Sequence, residues 1–145
     1  MFNSLKKIFS FAEKKESVAV ANAPDEGGAT RANKSSKSAA YRKQGNEYLA
    51  KGELENAAEC YLQAIAINHD YAEAYINLGF VLKEQKLYEE AERALKQAII
   101  LNPEMEDAYY LLAIVSQELG NLNEAINNYI KVIELKPDFE MVYRD

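Results

Sequence analysis

The chain reads AEAYINLGFVLKEQKLYEEAERALKQAIILNPEM over residues 72–105. The same pattern of aromatic, small and turn-forming positions occupies the neighbouring segments of 34 residues, 38–71 and 106–139. Stacking the three segments gives columns of matching residues: Tyr41, Tyr75 and Tyr109; Gly45, Gly79 and Ala113; Ala57, Ala91 and Ala125; Tyr61, Leu95 and Tyr129; His69, Pro103 and Pro137. A fixed period of this length is typical of repeat proteins, in which stacked units share one core.

Each segment predicts two antiparallel helices, because apolar and small residues recur at spacings of three and four on both sides of a short polar break. The three breaks are Lys51-Gly52-Glu53, Lys86-Leu87-Tyr88 and Gly120-Asn121-Leu122. Proline just past the second helix cannot continue it, so Pro103 and Pro137 mark the ends. Glycine inside a helix costs about 1 kcal/mol relative to alanine. Gly45 and Gly79 are therefore predicted to admit a close backbone contact, with Ala57 and Ala91 facing them from the second helices.

Over residues 38–139 these columns resemble three tetratricopeptide (TPR) repeats, with departures at Gln44, His69 and Ser116. The resemblance implies an all-α fold, a right-handed α-solenoid of three helix-turn-helix repeats over residues 38–71, 72–105 and 106–139. It also implies that the first helix of each pair lines a concave groove for a peptide or partner protein. The family does not imply catalysis.

Residues 140–145 repeat the opening of a helix pair, since Tyr143 falls in the column of Tyr109. We predict the start of a fourth repeat or a capping helix there. Two turns of helix are too short to cover Ile126, Ile130 and Ile133 on the last complete pair. Two interpretations stay open: the chain is the N-terminal part of a longer repeat protein, or it associates with itself through this edge.

Composition argues against an enzyme. The chain has one cysteine, Cys60, and one histidine, His69, so no metal cluster or nucleophile–base pair can be assembled from them. We predict no catalytic residue, no metal site and no cofactor, and we interpret Cys60 as a small core residue. No apolar run approaches the roughly 18 residues of a membrane span, and we expect a cytoplasmic protein.

The first 37 residues differ in kind from the repeats. Residues 14–37 are rich in Ala, Ser, Lys and Gly without an aromatic residue, which predicts a disordered, flexible linker. Before it, Phe2, Leu5, Ile8 and Phe9 make residues 1–13 a short amphipathic helix candidate. Three interpretations remain for that segment: docking onto a protein groove, attachment to a membrane surface, or disorder.

Charge separates the two regions. Residues 1–40 carry a net charge of +3 and residues 41–145 a net charge of −9, within a chain total of −6. An acidic solenoid disfavours nucleic acid, whose phosphates need a basic surface. It favours a basic or amphipathic protein or peptide partner, including its own N-terminal tail.

The resemblance places the groove residues on the first helix of each repeat. They are Arg42, Lys43 and Asn46 in the first repeat; Glu73, Ile76, Asn77 and Phe80 in the second; Asp107, Tyr110, Leu111 and Ile114 in the third. The apolar members are predicted to form a floor across the second and third repeats, and exposed apolar surface of that extent usually marks a binding site. The alternative is that these side chains pack on neighbouring helices and leave little surface.

Some co-chaperones of this family clamp the C-terminal carboxylate of a partner with cationic and amide side chains. Arg42, Asn46 and Asn77 match that clamp, but the third repeat has Asp107 and Leu111 where it needs cations. An aspartate repels a carboxylate, so we do not expect the complete clamp. We predict a protein-interaction scaffold. The alternatives are the substrate-recruiting arm of a larger enzyme, such as a glycosyltransferase or methyltransferase, and a membrane-peripheral scaffold anchored by residues 1–13.

Overall fold

The computed structural model describes residues 30–136, which form six α-helices and no strand within that range. The helices are α1 (Thr30–Ala50), α2 (Leu54–Ile67), α3 (Ala72–Glu84), α4 (Tyr88–Leu101), α5 (Glu106–Glu118) and α6 (Leu122–Leu135). Consecutive helices pack as pairs, α1 with α2, α3 with α4 and α5 with α6. Each pair also packs on the next, through α2 on α3, α4 on α5 and α3 on α5. The predicted all-α solenoid of helix pairs is confirmed.

The first helix begins at Thr30, eight residues before the predicted start of the first repeat. Residues 30–37, which we predicted to belong to the disordered linker, are therefore helical. Residues 30–37 contain neither Gly nor Pro. Because packing on α2 already stabilises the rest of α1, adding these residues to its N-terminal end costs little free energy. Their side chains from Arg31 to Lys37 are exposed. The predicted helix over 1–13, the linker over 14–29, Pro137 and the segment 140–145 lie outside the described residues.

The core lies between the paired helices and between successive pairs. Its largest fully buried side chains are Tyr61, Tyr75, Ile65, Leu78, Leu82 and Leu95. The alanine column Ala57, Ala91 and Ala125 is buried as well. This burial explains the regular spacing in the sequence, because each helix pair buries its apolar side only when the next pair covers it.

The space beside Gly45 and Gly79 is filled by a side chain of the paired helix and not by its backbone, so the predicted close backbone contact is wrong. A Cβ built on Gly45 would lie 2.6 Å from Cε1 of Tyr61, and one on Gly79 would lie 2.6 Å from Cγ of Leu95. Tyr61 and Leu95 belong to one column on the second helices. Glycine therefore leaves room for the large core residue of the paired helix.

Two kinds of turn fix the repeat. The turn inside each pair has one residue in the left-handed region, with φ of 76° at Gly52, 62° at Lys86 and 81° at Gly120. Between pairs, the chain turns at Asn68 and Asn102, whose Oδ1 atoms each accept a hydrogen bond from the backbone N–H two residues later, at 3.2 Å. This hydrogen bond is therefore the same in the first repeat, which has His69, and in the second repeat, which has Pro103.

Candidate functional site

The polar half of the predicted groove is joined across two repeats. The Arg42 guanidinium on α1 donates a hydrogen bond of 2.8 Å from Nε to Oδ1 of Asn77 on α3. The same guanidinium lies 5.8 Å from the ring centroid of Tyr71, within range of a cation–π contact. Both Arg42 and Asn77 are half-buried. The structure thus brings together two of the predicted site residues from different repeats.

Asn46 lies one turn beyond Arg42 on α1 and is exposed. Its Oδ1 accepts a hydrogen bond from the hydroxyl of Tyr61, which is otherwise buried in the core. Asn46 and Asn77 are therefore held in the same way, each by a donor to its amide oxygen. Lys43, the neighbour of Arg42 in sequence, is exposed.

The apolar half is more closed than the sequence suggested. Ile76 is only 9% exposed, so it is a core residue and adds little to a surface. Phe80 and Leu111 are partly buried and pack against the core, and Ile114 is partly buried. These three side chains leave a narrower apolar strip than the predicted floor.

A cation lies over one side chain of that strip, Phe80. The Lys83 ammonium is 4.9 Å from the ring centroid of Phe80 and 3.0 Å from a carboxylate oxygen of Glu84. Lys83 is partly buried, and its ammonium is paired with the carboxylate of the exposed Glu84. Access to the face of Phe80 therefore requires Lys83 to move.

Tyr110 is the most exposed of the apolar residues in the predicted groove, at 50%. It shares a column with Arg42 and Ile76, and in those two repeats this column faces the next first helix: Arg42 bonds Asn77, and Ile76 is buried where α3 packs on α5. No described helix follows α5 on that side. The ring of Tyr110 instead meets Tyr129 edge-on at 6.2 Å, so Tyr110 lies at the end of the described stack.

Carboxylates flank the strip. Glu73 at the start of α3 and Asp107 at the start of α5 are exposed on their helices. With Glu84 and Glu118 at the far ends of the same helices, the second and third repeats present more negative than positive charge here. Asp107 and Leu111 occupy the positions where a carboxylate clamp would need cations.

A cavity that the sequence did not predict lies at the other end, between the extended N-terminal part of α1 and the end of α2. Its volume is about 970 Å³, and its lining includes Arg31, Lys34, Lys37, Tyr41, Gln44, His69 and Asp70. Sequence reasoning missed it because residues 30–37 were assigned to the linker. The spacing of the three cations by three residues was the available signal for a common helix face.

The remaining chemistry is sparse in the part of the chain that is described. Burial, with a contribution from Glu59, raises the pKa of the Cys60 thiol, so the nucleophilic thiolate is disfavoured at neutral pH. Among residues 30–136 no group of three or more metal-ligating side chains occurs. None of the six helices has the length and apolar character needed to cross a bilayer.

Family models match the chain over most of the repeat region. A TPR repeat model matches residues 45–86, and tetratricopeptide repeat models match residues 72–105 and 106–139. The curated proteins include no significant match to this chain.

Solved structures share the fold. The second TPR of Spaghetti (RPAP3), bound to the HSP90 peptide SRMEEVD, is 31% identical with a TM-score of 0.70, covering 72% of this chain and 95% of that one. The second TPR domain of human RPAP3, in complex with the HSP70 peptide SGPTIEEVD, is 30% identical with a TM-score of 0.70, covering 72% and 87%. MamA is 26% identical with a TM-score of 0.69, covering 94% of this chain and 71% of MamA.

Proposed function

The chain belongs to the tetratricopeptide-repeat family, and we propose that it is an interaction scaffold that holds a peptide segment of a partner protein along α1, α3 and α5. The observation that carries this proposal is the pair of anchored asparagines, Asn46 and Asn77, on adjacent first helices. In each, the amide oxygen is already bonded within the fold. The Nδ2 donors are then the groups offered to backbone carbonyls of a bound segment.

Preorganised donors favour an extended ligand, because a peptide in that state has unpaired carbonyls and the asparagines need not reorient to meet them. The solved TPR domains of RPAP3 support the same mode of action, since they are bound to peptides of HSP90 and HSP70. Peptide binding by those domains agrees with the scaffold proposed here.

The ligand differs in chemistry from those peptides. Asp107 and Leu111 would oppose a terminal carboxylate, and Glu73 adds negative charge on the same side. We infer an internal, basic or amphipathic segment that places an apolar residue against Phe80, Leu111 and Ile114. A basic side chain of the ligand takes the place of the Lys83 ammonium over Phe80, so the cation–π contact is exchanged and not lost.

Selection from a peptide library tests the proposal, with the full chain immobilised and binding of each selected peptide measured by calorimetry. Asn77→Ala and Phe80→Ala should each weaken the selected peptides at least tenfold. The matched control is Ile100→Ala, because Ile100 is an apolar residue 64% exposed on α4, away from the first helices. Peptides that carry no basic or apolar preference, or that bind Asn77→Ala and Phe80→Ala as tightly as the unmodified chain, would refute the groove.

Membrane attachment through residues 1–13 and occupation of the groove by that segment stay predictions, since the segment lies outside the described residues. Deleting residues 1–29 removes it and leaves α1 intact from Thr30. If the segment occupies the groove, the deletion should tighten peptide binding. If it binds membranes, the deletion should abolish co-sedimentation with anionic liposomes while peptide affinity stays constant.

A further inference from the structure

The cavity at the N-terminal end of the stack carries an excess of positive charge. It has a volume of about 970 Å³, and among its described lining residues are three cations, Arg31, Lys34 and Lys37, and one carboxylate, Asp70. The three cations are exposed, and none of them forms an ion pair with another residue in the described range 30–136. This charge is therefore not neutralised within the described part of the chain.

The row of cations, Arg31, Lys34 and Lys37, does not stabilise the helix that carries it. Like charges three residues apart on a helix repel each other, and cations near the N-terminal end of a helix oppose its dipole. The five other described helices each have an acidic residue in the first turn, whereas α1 has none. Stability of α1 therefore does not explain the row, but an anionic ligand would relieve its repulsion.

The second repeat shows what occupies the same face of a first helix elsewhere in the stack. Ala74 and Leu78 on α3 are fully buried, and α2 of the preceding repeat packs on α3. Their counterparts on α1, Ala40 and Gln44, are exposed and line the cavity. No helix precedes α1 within the described residues. A ligand in the cavity therefore takes the position that a preceding second helix has in the next repeat.

The residues that differ between the two repeats set the chemistry of this ligand. Gln44 stands where the second repeat has Leu78, and Lys37 stands where it has Tyr71. A helix placed here therefore meets an amide and a row of cations in place of an apolar surface. Successive cations of the row are about 4.5 Å apart along α1, and carboxylates three residues apart on a facing helix have the same spacing. The fit is to a helix with acidic residues along one face.

We propose that the cavity binds an acidic helical segment of a partner protein, whose carboxylates pair with Arg31, Lys34 and Lys37. The chain's own residues 1–13 do not fit, because they carry two lysines and one glutamate. At 3.6 residues per turn, Lys37 and Gln44 lie roughly opposite Arg42 on α1, so the cavity is separate from the groove. The chain then has one site for a basic or amphipathic segment and a second site for an acidic one.

Fluorescence anisotropy of a labelled peptide of four Glu-Ala-Ala repeats, added to the full chain, tests the proposal. Replacing every Glu of the peptide by Gln should weaken binding about tenfold. Lys34→Glu in the chain should also weaken the acidic peptide about tenfold, because it reverses the central charge of the row. The control is Lys51→Glu, the same change at an exposed lysine outside the cavity, which should have little effect. Equal effects of the two substitutions, or no binding of the acidic peptide, would overturn the proposal.

Thermal unfolding of Lys34→Glu separates a role in binding from a role in folding. The substitution places a carboxylate near the N-terminal end of α1 and removes the repulsion between Lys34 and its neighbours Arg31 and Lys37. The Tm should therefore stay unchanged or rise. A lower Tm would show that the row of cations serves the fold, and would overturn the proposal.

Three further measurements test other occupants of the cavity. Inorganic tripolyphosphate and phosphatidylserine vesicles are each compared with the acidic peptide, on the unmodified chain and on Lys34→Glu. Tighter binding of either one, lost in Lys34→Glu, would assign the cavity to a phosphate ligand or a membrane surface instead. If the peptide binds only after Asp25→Asn and Glu26→Gln are introduced together, the cavity would belong to the chain's own acidic residues before α1.

Discussion

Arg42 and Asn77 are linked by a hydrogen bond of 2.8 Å that joins the first helices of two successive repeats. The donor is a permanently charged guanidinium and the acceptor a neutral amide, and both side chains are half-buried. Because the bond crosses a repeat boundary, it couples the position of α1 to that of α3. It also holds one of the two asparagines of the proposed peptide site.

Loss of this bond should lower stability. A hydrogen bond to a charged group contributes about 1.5–3 kcal/mol, and partial exposure places Arg42→Ala at the lower end. We expect a double-mutant cycle of Arg42→Ala and Asn77→Ala, measured by urea unfolding, to give a coupling of about 1 kcal/mol. Lys43→Ala, at the exposed neighbour, should show no coupling to Asn77→Ala. Additive losses for Arg42 and Asn77 would mean that the bond is not formed in solution.

The glycine column makes a prediction against helix propensity. Gly79→Ala gains about 1 kcal/mol of propensity but places a Cβ 2.6 Å from Cγ of the fully buried Leu95, and such overpacking costs about 1–3 kcal/mol. We expect a net loss of stability in thermal unfolding. The third repeat provides the comparison, because Ala113→Gly should also destabilise, through helix propensity and the loss of a buried methyl group. Stabilisation by Gly79→Ala would show that Leu95 repacks freely.

The fold was predictable because its signal is repeated three times. A single glycine such as Gly45 or a single tyrosine such as Tyr75 says little, but the same residue type at a fixed spacing indicates a shared structural role. The start of α1 was not predictable in this way. Residues 30–37 precede the first repeat and match no column, so their helical state follows only from continuation of a helix that packing elsewhere stabilises.

For the candidate groove, the repeat pattern predicted which residues lie on the first helices but not how exposed each side chain is. Position in the repeat placed Ile76, Phe80 and Tyr110 on first helices, but each side chain's exposure depends on what the next repeat covers. Ile76 is buried because α5 follows α3, and Tyr110 is exposed because no described helix follows α5 on that side. A pattern within one repeat does not contain this information.

Lys86 is the strained residue among the three turn residues in the left-handed region, Gly52, Lys86 and Gly120. Its φ of 62° matches Gly52 and Gly120, but a residue with a side chain pays about 1–2 kcal/mol in the left-handed region. Lys86→Gly should therefore raise the free energy of unfolding by up to about 1 kcal/mol, after the larger backbone entropy of glycine in the unfolded chain is subtracted. Urea unfolding of the variant and the unmodified chain measures this change in the free energy of unfolding. Gly120→Ala is the reciprocal control and should lower stability, since a Cβ there meets no neighbour within 4 Å and only the backbone is strained. Destabilisation by Lys86→Gly would indicate that the Lys86 side chain contributes more than the turn costs.

Two core tyrosines predict how stability depends on alkaline pH. Burial raises the pKa of Tyr61 to about 12 and, with a smaller effect of Asp70, that of Tyr75 to about 12, against an ordinary value of 10.0. A group whose pKa is raised in the folded state contributes its full stability below the unfolded pKa and loses it as pH rises through the folded pKa. Stability should therefore be constant in this respect up to pH 10 and fall between pH 10 and about 12. Tyr75→Phe should flatten the decline measured by urea unfolding. Ionisation of Tyr61 and Tyr75 near pH 10 in the folded chain, followed by phenolate absorbance, would contradict their burial.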